Sequence, residues 1–182
     1  MQLDYTQGCV NFRDVGEFLA LITDNPILPP GRLYRGGSID HVKALAGIGE
    51  PGTVVNLRKK ADYEEFETTY IHFPADNKVE VYHTHLKNTR RWLNSVIRTF
   101  ENRELSYPVL VHCLSGKDRT GIVIGALLMI LGLSEKVVLE EYQLSEGKLK
   151  FKLMKEALAQ LKPLDRYFNR IDLDLVASNL IG

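Results

Sequence analysis

The chain has 182 residues, 45% of them hydrophobic, with 23 Lys plus Arg balanced by 23 Asp plus Glu. Zero formal charge excludes the basic excess of a dedicated nucleic-acid binder, and two cysteines, Cys9 and Cys113, cannot build a disulfide framework. The start carries no basic segment followed by an apolar run, and the longest uncharged apolar stretch, residues 122–133, falls short of the ~20 residues a membrane helix needs. The expectation is a single domain over residues 1–182, monomeric and cytoplasmic, with no transmembrane segment and no nucleic-acid partner. Along the chain, the densest breaker cluster, residues 25–31, reads as a loop. Residues 31–37 predict a short extended piece closed by a turn at Gly36-Gly37. Residues 52–57, apolar and β-branched, predict a buried strand. Residues 61–70, with Tyr63, Phe66, Thr69 and Tyr70 among acids, predict a short helix, and residues 79–86 alternate like a strand. In residues 89–104, Trp92, Leu93, Val96, Ile97 and Phe100 form one stripe of an amphipathic helix. Residues 107–112 predict a third buried strand, and residues 120–131 a helix apolar almost all round, hence central. Ser134 caps a helix running to about Glu146, with Glu135 suited to its first turn. Residues 148–161 are amphipathic and end before Pro163, and residues 164–181 predict one or two more helical pieces. The alternation predicts an α/β fold: a short, mostly parallel central sheet flanked by helices, with a helical C-terminal third.

One stretch carries chemistry: Val111-His112-Cys113-Leu114-Ser115-Gly116-Lys117-Asp118-Arg119-Thr120-Gly121. A buried strand runs into a cysteine, then a five-residue loop, then an arginine opening a buried helix. Backbone N–H groups of a tight loop at a helix N-terminus converge on an anion, with the positive end of the dipole behind them. A thiol set in such a field ionises more readily than a free one. Gly116 lets the loop turn closely about its ligand, and Arg119 offers two parallel donors to a tetrahedral oxyanion. Thiolate, oxyanion cradle and guanidinium fork together specify attack on phosphorus. A nucleotide-binding loop of the Walker type does not fit, because Lys117 is followed by Asp118 and Val111 stands where a glycine is required.

From Cys113 to Thr120 the chain resembles the Cys-x5-Arg-Ser/Thr loop of cysteine-dependent protein tyrosine and dual-specificity phosphatases. The longer His-Cys-x-x-Gly-Lys-Asp-Arg-Thr-Gly form resembles the bacterial and fungal branch of that family. Asn11-Phe12-Arg13-Asp14-Val15-Gly16, Leu33-Tyr34-Arg35-Gly36-Gly37, Val54-Val55-Asn56-Leu57-Arg58 and Glu141-Tyr142-Gln143-Leu144-Ser145 resemble further landmarks of the branch. The resemblance implies a tyrosine-phosphatase-like fold and hydrolysis of phosphomonoesters through a cysteinyl-phosphate intermediate, without cofactor or metal. Cys113 is then the nucleophile. Leu114, Ser115, Gly116, Lys117, Asp118 and Arg119 bind the phosphate, and Thr120 is placed to hydrogen-bond the thiolate. His112, Arg13 and Asp14 support the loop. The implied partner is a phosphorylated protein or a phosphoinositide, the latter favoured by charge from Lys117. A non-catalytic phosphate-binding module stands as an alternative of another class, and a sulfurtransferase fits the Arg-Thr-Gly spacing less well.

The general acid is the open position. Tyrosine phosphatases commonly supply it from a mobile loop before the cysteine, where this chain has Asn88, which cannot donate a catalytic proton. Asp76, in residues 74–78, is the nearest acid there; Asp118, inside the loop, is favoured because reach precedes pKa. His83 and His85, two apart on a predicted strand, lack the further ligands a metal needs. Cys9 reads as a packed or surface residue, with a disulfide to Cys113 under oxidation as the alternative. Arg35 and Arg58 read as surface charges or salt bridges.

Overall fold

The computed structural model describes residues 8–24, 26–62, 67–76 and 79–182. Five short strands pair in one sheet in the order β1 (Arg13–Asp14), β2 (Leu33–Gly36), β5 (Val109–His112), β3 (Thr53–Asn56), β4 (Thr69–His72). Among the described residues, the β1–β2 pair alone is antiparallel. Gly36 of β2 and Asn56 of β3 both stand opposite His112, so the parallel strands end level at one edge. That edge, outside the carboxyl ends of parallel strands, is where α/β sheets place ligands.

Side-chain alternation divides the interior in two. Val109 and Val111 of β5 and Val55 of β3 face the main core, whereas Leu110 and Val54 face a smaller cluster with Cys9, Ile39, Val42 and Ile48. The main core is closed by α1 (Val15–Ile22), α2 (Lys87–Arg98), α3 (Asp118–Ile130), α4 (Glu135–Gln143), α5 (Phe151–Gln160), α6 (Leu164–Tyr167) and α7 (Leu173–Ile181). A 3-10 turn at Leu45–Ile48 lies against the opposite face. Helix α3 is buried from Arg119 to Met129, as its all-round apolarity predicts, and Ser134 caps α4 by accepting from the Val137 N–H.

The sequence expectation fails in three places. Residues 79–86 form no strand: Val79–Tyr82 is a 3-10 turn, in which the adjacent Val81 and Tyr82 are both buried. A strand would send those two side chains to opposite faces, so the apparent alternation is overridden by packing against α3. Within residues 61–70, Thr69 and Tyr70 start β4, whose backbone pairs with β3, while residues 63–66 lie outside the described residues, as do Asn25 of the breaker loop and residues 77–78. The turn expected at Gly36-Gly37 is a bend at Gly37 alone. Gly36 completes β2, and the Gly37 N–H donates to the Val10 carbonyl at 2.7 Å.

Helix α1 has no counterpart in the sequence expectation, although Asp14 is its signal. The Asp14 carboxylate accepts from the N–H groups of Gly16 at 2.8 Å and Gly31 at 2.5 Å, capping α1 and tying it to the loop before β2. Asp14→Ala is expected to cost about 1–2 kcal/mol and lower the thermal midpoint by roughly 2–8 °C. A midpoint within error of the wild type in thermal unfolding contradicts the cap.

Candidate active site

Strand β5 ends at His112, and α3 begins at Asp118, leaving residues 113–117 as the turn between them. Cys113 sits at the floor, 1% exposed, its N–H on the Gly36 carbonyl at 3.3 Å. The next four carbonyls are all pulled outward. Leu114 O accepts from the Ser38 N–H at 2.9 Å, Ser115 O from Asn11 Nδ2 at 2.8 Å, Gly116 O from Arg35 Nη2 at 2.8 Å, and Lys117 O from the Gly121 N–H at 2.6 Å. With the carbonyls held outside, the N–H groups of Leu114 to Asp118 find no acceptor among the described residues. Five backbone donors without a partner among the described residues, in a turn that runs from Cys113 into the N-terminus of a buried helix, can serve as an anion cradle. Gly116 has φ +67°, and a Cβ there would stand 2.6 Å from the Gly36 carbonyl carbon. The loop therefore needs glycine both for its conformation and for its close approach to β2.

Beneath the cradle lies a buried charged network. Arg13 and Arg35 face each other across β1 and β2, and both guanidinium groups reach Glu141 of α4. Arg13 Nε donates to Glu141 Oε1 at 2.9 Å and Arg35 Nη1 to Oε2 at 2.5 Å; Ser145 Oγ accepts from both arginines. Arg35 and Glu141 are 0% and 1% exposed. Burial, together with the charge of Arg35, pushes the Arg13 guanidinium down to about 10, with Glu141 opposing. Two cations against one carboxylate leave a positive charge directly under the loop.

A second network braces the other side. His112 Nε2 meets Asp62 Oδ2 at 3.0 Å, and Arg58 Nη1 donates to Asp62 and Asp40 at 3.1 and 2.5 Å and to Ser38 Oγ at 3.1 Å. Arg58 is thus buried in ion pairs, and Arg35, read from sequence as a surface charge or salt bridge, is wholly interior and paired with Glu141. Arg119 Nη1 donates to the carbonyls of Leu57 and Ala75, each at 3.0 Å, which fixes the guanidinium beside the strand ends. Thr120 Oγ1 donates to Gly36 O at 3.5 Å.

The two candidate acids stand apart in environment. Asp118 Oδ1 accepts from Tyr82 Oη at 2.5 Å and lies 3.7 Å from Lys150 Nζ. Asp76 pairs with Lys59 at 3.1 Å, its side chain more than half exposed, and lines a cavity of about 270 Å³ with Ala75, Glu80, Asn88, Thr89 and Trp92. His83 and His85 pack edge to face, 5.8 Å between centroids, and His85 Nδ1 meets Gln160 Oε1. Among the described residues no group of three or more His, Cys, Asp or Glu side chains could hold a metal, and no helix is long and apolar enough to cross a membrane. Cys9 is packed beside Gly36, and burial pushes its thiol up to about 12. Sequence reasoning missed Asn11, Ser38, Asp62, Tyr82, Glu141, Tyr142, Ser145 and Lys150 as site residues. Of these, Asn11, Glu141, Tyr142 and Ser145 lie in the motifs that signalled the resemblance.

The chain is 28% identical over 116 residues to the tyrosine-protein phosphatase-like protein OCA2 of Saccharomyces cerevisiae, covering 60% of this chain and 52% of that protein. It is 49% identical over 35 residues to the triple specificity protein phosphatase PtpB of Mycobacterium tuberculosis, covering 19% and 13%. The chain spans about half the length of curated relatives such as OCA2. The core catalytic domain of the S. cerevisiae PP-IP phosphatase SIW14 shares the fold, with a TM-score of 0.55 and 17% identity over 78% of this chain and 88% of that one. The sequence model of the tyrosine phosphatase family matches residues 5–174, and this chain belongs to that family.

Proposed function

We propose that the chain hydrolyses phosphomonoesters of tyrosine-phosphatase type through a cysteinyl-phosphate intermediate. The observation that carries this reading is the set of loop carbonyls after Cys113 tied to Ser38, Asn11 and Arg35, which leaves the N–H groups of Leu114 to Asp118 without an acceptor among the described residues. In the first step the Cys113 sulfur attacks phosphorus while the bond to the leaving oxygen breaks and Asp118 gives that oxygen a proton. The loop donors and Arg119 hold the equatorial oxygens as charge shifts onto them. In the second step water attacks phosphorus, Asp118 takes its proton, and the phosphorus–sulfur bond breaks to return the thiolate. The Thr120 hydroxyl, now on Gly36 O at 3.5 Å, is the donor assigned to that thiolate. The two unpaired cysteines accord with a reducing, cytosolic setting.

Phosphoprotein substrates of the tyrosine or dual-specificity kind are the first reading. A phosphoinositide is the second, supported by Lys117, whose Nζ lies beside Gly147, and by Lys150 near Asp118. Turnover of a phosphotyrosine peptide and of phosphoinositides, each assayed with and without chelator, separates the two. Phosphate binding without any turnover points to the non-catalytic module.

The acid is assigned to Asp118 because it opens α3 within the loop itself. Asp118→Asn is expected to slow alkyl phosphates by about 10²–10⁴-fold and aryl phosphates with good leaving groups far less. Asp76→Asn is expected to do little. The reverse pattern, with phosphate affinity measured alongside rate, moves the acid to Asp76.

A further inference from the structure

Asp118 is the end of a buried hydrogen-bonded chain that the catalytic loop does not itself require. Tyr82, 1% exposed on the 3-10 turn Val79–Tyr82, donates its hydroxyl to Asp118 Oδ1 at 2.5 Å. The same hydroxyl meets Tyr142 Oη of α4 at 2.9 Å, and Tyr142 Oη accepts from the Lys150 N–H at 3.1 Å. Counting hydrogens fixes the direction. Tyr82 has one proton, and a carboxylate can only accept it, so Tyr142 must donate to Tyr82, and the Lys150 N–H supplies the donor behind it. Every hydroxyl in the chain is then a donor toward Asp118 and an acceptor from the residue behind it, an arrangement in which each bond polarises the next. Burial, with Asp118 and Tyr142 next in order, holds the Tyr82 phenol far above its ordinary range, so it remains a donor throughout the working range of the enzyme.

We propose that Tyr82 is the positioning residue of the general acid: with Tyr142 and the Lys150 backbone behind it, it occupies Asp118 Oδ1 and leaves Oδ2 to carry the proton to the leaving oxygen. The proposal rests on the assignment of Asp118 as the acid. Oδ1 is met by the Tyr82 hydroxyl and faces the Lys150 ammonium at 3.7 Å, so a proton placed there would stand against two donors. A carboxylate on the first residue of a helix could otherwise rotate about χ2 and present either oxygen. Locking one oxygen turns a freely rotating acid into an aimed one, and alignment of this kind matters most where the leaving group needs its proton most. Three elements converge here, the turn at Val79–Tyr82, α4 and the backbone just before α5, so the aim of the acid is set by packing outside the loop.

The experiment compares Tyr82→Phe, Asp118→Asn and the double variant on a series of phosphate monoesters from good aryl to poor alkyl leaving groups. Tyr82→Phe is expected to slow the poorest leaving groups by about 10- to 100-fold, as for a lost hydrogen bond to a charged group, and the best by no more than about threefold. In the Asp118→Asn background, Tyr82→Phe should add no further leaving-group dependence, because its effect runs through the missing acid. A Tyr82→Phe loss that is uniform across the series, or one that persists in the double variant, overturns the proposal. Absence of leaving-group dependence in Asp118→Asn alone overturns the acid assignment and the proposal with it. Asp118→Asn showing that dependence while Tyr82→Phe does not sinks the proposal only. Should Tyr82→Phe fail to fold by thermal unfolding, Tyr142→Phe carries the test. It keeps the Tyr82–Asp118 bond and removes the donor behind it, so a smaller loss selective for poor leaving groups is expected, and no selectivity overturns the relay.

Discussion

Replacing Cys113 by serine is expected to lower kcat by at least about 10³-fold while leaving affinity for inorganic phosphate nearly intact. The hydroxyl is a far weaker nucleophile than the thiolate, but the cradle does not depend on the sulfur. Its carbonyls are tied by Ser38, Asn11, Arg35 and Gly121, none of which touches Sγ through those bonds. Cys113 is buried, and the exchange nearly conserves volume, so thermal unfolding should change little. Single-turnover rates and calorimetric phosphate binding measure the two arms. A serine variant keeping more than about a twentieth of the rate, less than about 2 kcal/mol of lost transition-state stabilisation, would falsify the nucleophile assignment.

Glu141→Leu is expected to be the most destabilising of the substitutions considered, by about 3–5 kcal/mol, because it strands two buried guanidinium groups. For a chain of this length the thermal midpoint should fall by roughly 6–20 °C. The effect should reach the site as well. Arg35 holds the Gly116 carbonyl, and an Arg35 freed from Glu141 loses the ion pair on Nη1 and keeps only the Nη2 bonds to Gly116 O and Ser145 Oγ. Phosphate affinity of whatever folded protein remains should therefore drop. An unchanged midpoint would show that the network sets geometry without contributing stability.

The strand–turn–helix that carries the candidate site was legible in the sequence because its signals are local. A β-branched run, a cysteine, a glycine and an arginine at fixed spacing specify strand, turn and helix within a dozen residues, and β5, residues 113–117 and α3 follow that pattern. The mostly parallel sheet was equally readable, since β3 and β5 carry consecutive apolar residues and are buried on both faces. What escaped is long-range. Nothing local announces that Arg35 is interior, because its burial depends on Glu141, 106 positions away. Asn11 adopts φ +58°, which asparagine tolerates, and its side chain spans from Ser115 O to the Glu146 N–H, a bridge visible only after folding. Residues 79–86 misled for the same reason. Their alternation is that of a strand, but Tyr82 finds its partners on α3 and α4 and not in the sheet.

The loop borrows its shape from segments far apart in the chain, and one of them, Asn11, stands next to the two-residue strand β1 at the margin of the sheet. Margins of this kind open more readily than the interior, through sub-global fluctuations whose free energy lies well below that of complete unfolding. Each such opening would release the Ser115 carbonyl and slacken the cradle while β5 and α3 stay folded. Catalytic competence should accordingly behave as a sensor of fraying at this edge. On heating, turnover should fade before Trp92, carried on α2 and partly buried against the core, reports any change.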